Sequence, residues 1–241
     1  GNGVAGVSIL DGAWENKLAG NHISSNGDNG IFFAGNDPHH NTIFENLVGT
    51  DATGSVAMPN GRHGIFLETV ATDNEFLKNV ISGNTSYGVV VGYSSDRNSF
   101  RENTIGLDQS RVNSVRNNLS GMIIYGKETE VGGPSLNDGN WIAGNGAWGI
   151  ILKGDVLSMA LENSIQGNVI GLAGLGNGFG GVKVSEYTFD TSIGSVLGNS
   201  IIGNGGPGVL VGDAYYSGSP VDGIEILNNS ISQNAAEGIK L

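Results

Sequence analysis

No cysteine occurs anywhere in this chain, which excludes a disulfide framework and thiolate-held metal sites while leaving the redox compartment open. Positive charge is also scarce. Lys and Arg number 11 against 23 Asp and Glu, a formal net charge of −12, so neither nucleic acid nor an anionic membrane finds the basic footprint it requires. An acidic polymer would need a local basic patch or a bridging cation. No apolar run approaches the roughly 18 residues of a membrane span, so no membrane insertion is expected. The opening Gly1-Asn2-Gly3-Val4 carries neither the basic nor the apolar region of a secretory leader. Long amphipathic runs are missing too. The 38% of hydrophobic residues arrive in bursts such as Gly30-Ile31-Phe32-Phe33 and Gly88-Val89-Val90-Val91, which read as many short strands joined by turns. No nucleophile elbow, P-loop or dinucleotide fingerprint is present, and the Gly-x-Gly strings read as turn glycines in a chain holding 42 Gly.

What the sequence does contain is a repeat. A Gly followed by a short apolar strand recurs at Gly6, Gly30, Gly64, Gly88, Gly121, Gly149, Gly181, Gly208 and Gly238. The separations are 24, 34, 24, 33, 28, 32, 27 and 30 residues, and neighbouring pairs come to 58, 57, 60 and 57. Short and long coils therefore alternate. Upstream of most anchors stands Asn-x-apolar-x-x-Asn, as in Asn21 to Asn26, Asn79 to Asn84 and Asn199 to Asn204. Each Asn is expected to mark a corner, because Asn tolerates left-handed backbone angles and its amide can bond to the Asn above and below. Strand and turn punctuation with a period of 20 to 50 residues is the mark of a solenoid. The expected fold is all-β: a right-handed parallel β-helix of about nine coils, one domain over 1–241, on the order of 40 Å long at about 4.8 Å per coil. A sandwich or propeller would need antiparallel hairpins at regular spacing, which the alternating coil lengths do not fit.

The extra residues of the long coils fall between the second Asn corner and the Gly anchor, over 49–62, 106–120 and 171–180, and are expected to decorate one face or to form longer turns. Asn79-Val80-Ile81-Ser82-Gly83-Asn84 and Gly49-Thr50-Asp51-Ala52-Thr53-Gly54, alternating with Gly-Ile/Val strands, resemble the parallel β-helix repeats, pectate-lyase-like, of large secreted bacterial and archaeal surface proteins. That resemblance covers nearly the whole chain. It implies an extracellular or cell-surface setting and leaves function open, since polysaccharide lyases, glycoside hydrolases, uronan epimerases, phage tailspikes and adhesive stalks share the fold.

Two sets of residues are candidates for chemistry. Asp37-Pro38-His39-His40 and, one coil later, Arg62-His63-Gly64 are similar to the Asp-Pro-His and Arg-His-Gly motifs of mannuronan C5-epimerases and related alginate lyases. The similarity implies a site built from Asp37, His39, Arg62 and His63, in which a neutral base removes the C5 proton of a uronate and a cation neutralises its carboxylate. Histidine suits the base role at neutral pH. Loop histidines at an Asp-Pro turn are the plainer reading. The second set follows the Gly-anchored strands: Tyr93, Tyr125 with Lys127, Lys153 with Asp155, Glu186 with Tyr187, and Asp213 with Tyr215. Stacked at coil spacing, these rings and charges would suit a carbohydrate groove, or would simply be half-exposed tyrosines at a loop edge.

Two residues beyond each Gly lie Ser8, Phe32, Phe66, Val90, Ile123, Ile151, Lys183, Leu210 and Lys240. An outward apolar stripe of that length should be covered by the long-coil insertions, by another subunit or by another domain. Ca²⁺ is compatible with oxygen ligands such as Asp51 and Asp108, although no cofactor is called for by any motif. Carboxylates at glycosidase spacing are too many to single out a pair and read as solubilising.

Two functions remain in view: a rigid surface for adhesion or carbohydrate binding, and a polysaccharide lyase or C5-epimerase acting on a uronate polymer such as alginate. The first and last coils enter and stop at equivalent points of the repeat without a capping element, and open solenoid ends expose strand edges. The chain is therefore expected to be a segment of a longer polypeptide or to associate end to end or face to face. Light scattering after size exclusion checks this, a monodisperse monomer at high concentration being the contrary result.

Overall fold

The computed structural model describes residues 1–212 and 219–241. Among these, no helix is long and apolar enough to cross a membrane. The strands form three long sheets, one nine-stranded and two eight-stranded, with a smaller three-stranded sheet beside them. The first wall takes its strands in chain order from Val7–Leu10, Ile31–Ala34 and Ile65–Leu67 through Gly180–Val184 and Val209–Val211 to Ile239–Lys240. The second wall begins with Lys17–Ala19, Thr42–Phe44 and Glu75–Leu77, and the third with His22–Ile23, Leu47–Val48 and Val80–Ile81. All three are parallel, with every coil laid in register on the one before. This is the right-handed parallel β-helix that the Gly anchors predicted, with no antiparallel pairing in its walls among the described residues.

The core follows from strand alternation, since successive side chains point to opposite faces. Ile31, Phe33, Ile65, Leu67, Val89 and Val91 point inward from the first wall, Ile43, Phe76 and Phe100 from the second, and Val48, Ile81 and Ile105 from the third, all fully buried. Like meets like along the axis: Phe76 and Phe100 stack at 4.5 Å with their planes 7° apart. The anchor glycines are required by close approach between coils and not by turn geometry. A Cβ on Gly88 would lie 2.7 Å from the Gly121 carbonyl oxygen, 2.9 Å from Asn117 Nδ2 and 2.9 Å from Ile105 Cγ2.

Each of the three corners carries a ladder of buried asparagines. Between the second and third walls it runs Asn21, Asn46, Asn79, Asn103, Asn140, Asn168, Asn199 and Asn229 without a break. Between the third and first walls it runs Asn26, Asn60, Asn84, Asn117, Asn145, Asn177, Asn204 and Asn234. Asn79 illustrates the bonding. Its Oδ1 accepts from the backbone N–H and the Nδ2 of Asn46 at 3.0 Å each, while its own Nδ2 donates to Asn103 Oδ1 at 3.0 Å and to the Ile43 carbonyl at 2.8 Å. A buried amide is costly unless its donors and acceptors are matched, and here they are matched by the coils on either side.

The left-handed residue at these corners is the one before the Asn and not the Asn itself, a correction to the sequence reading. Glu15, His40, Asp73, Arg97, Glu128 and Glu162 precede one ladder with φ of 54, 54, 55, 55, 51 and 55°. Glu45, Lys78 and Glu102 precede the second with φ of 52, 56 and 56°. A left-handed non-glycine residue costs about 1 kcal/mol, which the ladder bonds offset.

The ladder entering the second wall is the imperfect one. Asn16, Asn41, Asn74 and Asn98 are joined in sequence. Thr129 then takes the ladder position, its backbone N–H donating to Asn163 Oδ1 at 2.9 Å, while its own buried Oγ1 has no partner. Thr129→Asn should extend the ladder and raise stability by about 1 kcal/mol, a gain of about 2–4 °C in melting temperature. Asn79→Ala, which takes the acceptor from two Asn46 donors and the donor from the Ile43 carbonyl and Asn103 Oδ1, should cost about 3 kcal/mol or more. Thermal melts followed by circular dichroism check both.

Candidate functional site

The outward row of the first wall is held in register as Ser8, Phe32, Phe66, Val90, Ile123, Ile151, Lys183, Leu210 and Lys240. Val90 and Ile123 are only 6% and 4% exposed. The cover does not come from the long-coil insertions. Those of 49–62 and 106–120 close through antiparallel bridges, Thr50 with Ala57 and Leu107 with Ser114, and fold against the third wall, where Gly54 packs beside Leu47 and Arg111 lies over Trp141. Val90 and Ile123 are flanked by aromatic side chains of their own wall, arranged as two rims, while Phe32, Phe66, Ile151 and Leu210 stay half-exposed.

One rim stands immediately before the anchor glycines, at His63, Tyr87 and, two coils on, Trp148. The His63 ring is 5.4 Å from Phe66 and 5.6 Å from Tyr87. The other rim follows the strands: Tyr93 and Tyr125 lie 4.7 Å apart, and Lys153 Nζ is 3.3 Å from Glu186 Oε2. Between them, His63, Phe66, Tyr87, Val90, Ile123 and Tyr125 border a pocket of about 250 Å³. Phe32 extends the floor, its ring 5.6 Å from Phe66.

Burial sets the electrostatics of this groove. His63 is 8% exposed and its Nδ1 has no hydrogen-bond partner. Desolvation, with the neighbouring Arg62 charge adding to it, lowers its pKa to about 4, so the imidazole is neutral at pH 7. Tyr93 is pushed the other way, to about 12, by desolvation, by the charge of Asp155 and by its hydrogen bond to that carboxylate. Desolvation raises Tyr125 as well. Asp155 is drawn down by backbone N–H groups of Leu157 and Ser158, both donating at 2.8 Å to Oδ1. The groove thus offers a neutral imidazole, neutral phenols, apolar rings and one paired cation.

The sequence-predicted residues divide accordingly. Tyr93, Tyr125, Lys153 and Glu186 come together on one rim. Lys127 and Tyr187 belong to the turn that follows: the Lys127 backbone N–H donates to Asp96 Oδ1 at 2.8 Å, and Tyr187 has φ 51°. Asp213 and Tyr215 lie outside the described residues.

Asp37, His39, Arg62 and His63 do not meet in one site. Arg62 and His63 precede Ile65–Leu67, stacked on Asp28 and Asn29, whereas Asp37 and His39 follow Ile31–Ala34 at the far edge of the same wall. A strand's length, on the order of 10 Å, separates the pairs. His39 is bridged to Trp14 and Thr72, its Nδ1 is 2.7 Å from the Asp37 carbonyl, and Thr72 donates to Asp37 Oδ1 at 2.7 Å. That half of the motif knits a corner.

Tyr87 and Trp148 were missed in the sequence, although the position before each anchor, which His63 also occupies, was there to be compared. The Asp51 and Asp108 carboxylates accept from their own loops, Asp51 Oδ1 from Ser55 and Val56 and Asp108 Oδ1 from Val112 and Asn113. Both serve as turn caps. Among the described residues, no group of three or more His, Cys, Asp or Glu could hold a metal ion.

Comparison with known proteins agrees with this architecture. The family model described as "Right handed beta helix region" matches residues 1–107. No curated protein matches the chain. Among solved structures, the A-module of the mannuronan C-5 epimerase AlgE6 of Azotobacter vinelandii aligns over 93% of this chain and 55% of its own, at 16% identity and a TM-score of 0.61. The A-module of AlgE4, a second mannuronan C-5 epimerase of that organism, aligns over 88% of this chain and 61% of its own, at 18% identity and a TM-score of 0.52. The chain spans a little over half the length of these structures, and the likeness is one of fold.

The depressed His63 pKa gives a signed prediction. Between about 4 and the ordinary 6.5, the unfolded chain binds a proton that the folded one refuses, so stability falls as pH falls through that window. The loss amounts to about 3 kcal/mol at most. His63→Phe should remove this dependence, and urea melts of both proteins at pH 7 and pH 4 measure it.

Proposed function

We propose that the first wall is a carbohydrate-binding surface, with a polysaccharide lying along the axis over Phe32, Phe66, Val90 and Ile123 between the two rims. The single observation that carries this reading is the apolar, ring-flanked groove on the first wall of a chain of acidic net charge. Sugar faces pack on aromatic rings, and flanking groups such as Glu68, Lys153 and Glu186 bond hydroxyls. An extracellular or cell-surface setting goes with a polymeric ligand of this kind. In that setting the rod serves adhesion or glycan contact as a rigid module.

A second reading, a lyase or C5-epimerase acting on a uronate polymer such as alginate, is favoured by one feature. His63 is neutral, its Nδ1 is unpartnered, and Tyr87 stands beside it. A neutral imidazole is the state required to take the C5 proton of a uronate, with the departing electron pair delocalised into the carboxyl group. The fold likeness to mannuronan C-5 epimerase modules supports this reading and does not carry it.

Affinity electrophoresis against neutral and acidic polysaccharides should show retardation by at least one polymer. Phe66→Leu and Tyr125→Ala, each removing a ring contact of about 1 kcal/mol, should each weaken it about fivefold. Retention unchanged in both variants overturns the groove. Incubation with mannuronan, followed by unsaturated-uronate absorbance and by NMR of C5 inversion, decides the second reading. Product formation that is abolished in His63→Phe supports it, and no product sinks it.

A further inference from the structure

The third wall carries a separate trough. Its inward residues are buried, so the alternate residues Leu47, Val80, Thr104, Trp141 and Val169 face outward in register. The two insertion loops lean over this row from one side. Lys78 and Glu102, which adopt left-handed backbone at the corner, stand on the other with Leu136. Two adjoining cavities of about 440 and 500 Å³ share Lys78 and form one trough across several coils.

Arg111 is the group this arrangement leaves unused. Its guanidinium lies 5.0 Å over the Trp141 ring and its Nε donates to Thr104 Oγ1 at 3.1 Å. Its Nη groups have no hydrogen-bond partner, and no carboxylate forms an ion pair with it among the described residues. Glu102 acts on it only through its field and is paired with Lys78 at 3.8 Å. A half-buried, oriented guanidinium with an open two-donor edge is the geometry that takes a carboxylate side-on. Its stacking on Trp141 fixes that edge before a ligand arrives, which lowers the ordering cost of binding. Beside it, Trp141, Val169 and Leu136 supply apolar surface, with Leu136 88% exposed.

We propose that this third-wall trough is a second saccharide site, distinct from the first-wall groove, that takes an acidic sugar by pairing the sugar carboxylate with the Arg111 Nη edge. The sugar ring lies against Trp141, Val169 and Leu136; Lys78 is already paired with Glu102, and Glu45 lines the adjoining cavity, so recognition of the carboxylate rests on Arg111. Because the site is on a different wall, it stands or falls independently of the first-wall reading.

The test is local to the trough. The indole N–H resonance of Trp141, assigned by its loss in Trp141→Phe, is followed in the full chain as galacturonate or mannuronate tetrasaccharide is added, with the carboxyl-reduced tetrasaccharides as neutral counterparts. The expected result is a saturable shift with at least one acidic oligomer and none with its neutral counterpart. Arg111→Gln should weaken that binding at least tenfold, and rising salt should weaken it in the wild type. Leu136→Glu, at a rim position with no part in the core, should also weaken it by charge repulsion, which keeps the test valid if Arg111→Gln misfolds. A resonance that does not move, one that moves equally with acidic and neutral oligomers, or equal binding by wild type and Leu136→Glu overturns the proposal.

Discussion

Everything in this rod depends on the bond between one buried asparagine amide and the next. A parallel coil bends three times per turn, and at each bend the backbone leaves its sheet and would bury polar groups without partners. The side-chain amide has the right reach to bond the asparagines of the coils on either side and a backbone carbonyl of the preceding coil at once, as Asn79 does with Asn46, Asn103 and Ile43. The ladder therefore does two jobs: it satisfies the corner, and it fixes the height and register of the strands that leave it. With register fixed, Phe76 meets Phe100 and Val90 meets Ile123, so inner rows fuse into one core and outer rows become continuous surfaces.

Much of this was legible in the sequence because both signals are local and repeated. The Gly anchors and Asn corners recur in nearly every coil, so wall membership could be counted out directly. What remained hidden was conformational and lateral. The left-handed residues at the two corners flanking the second wall include Glu15, Lys78 and Arg97, side chains with no intrinsic preference for that backbone, forced into it by the ladder that follows. The direction in which the insertions fold was also unreadable, since Asp51 and Asp108 look alike as turn caps and as cation ligands until their N–H partners are seen.

The candidate-site residues were half legible for the same reason. Tyr93, Tyr125, Lys153 and Glu186 all lie one or two residues past the end of a first-wall strand and were found together. Tyr87 and Trp148 share another, and joined them only once the rim before the anchors was seen. The Asp37-His39 and Arg62-His63 pairs are close in sequence distance per coil but sit at opposite edges of a strand, and motif similarity does not encode that span. Burial, which no motif records, then sets His63 apart from His39: the former is enclosed with Nδ1 unpartnered, the latter bonded to its own turn.

The insertions at 49–58 and 106–115 leave the helix just past the third wall and return before Asn60 and Asn117. Each excursion is bracketed by an element that restarts the count, so the strands on either side are indifferent to how many residues pass between. Doubling such a loop costs only about 0.6 kcal/mol in closure entropy. That corner is where this molecule can be lengthened, shortened or rewritten by evolution or by engineering while the neighbouring coils keep their place, and it overhangs the trough whose width and chemistry those loops define.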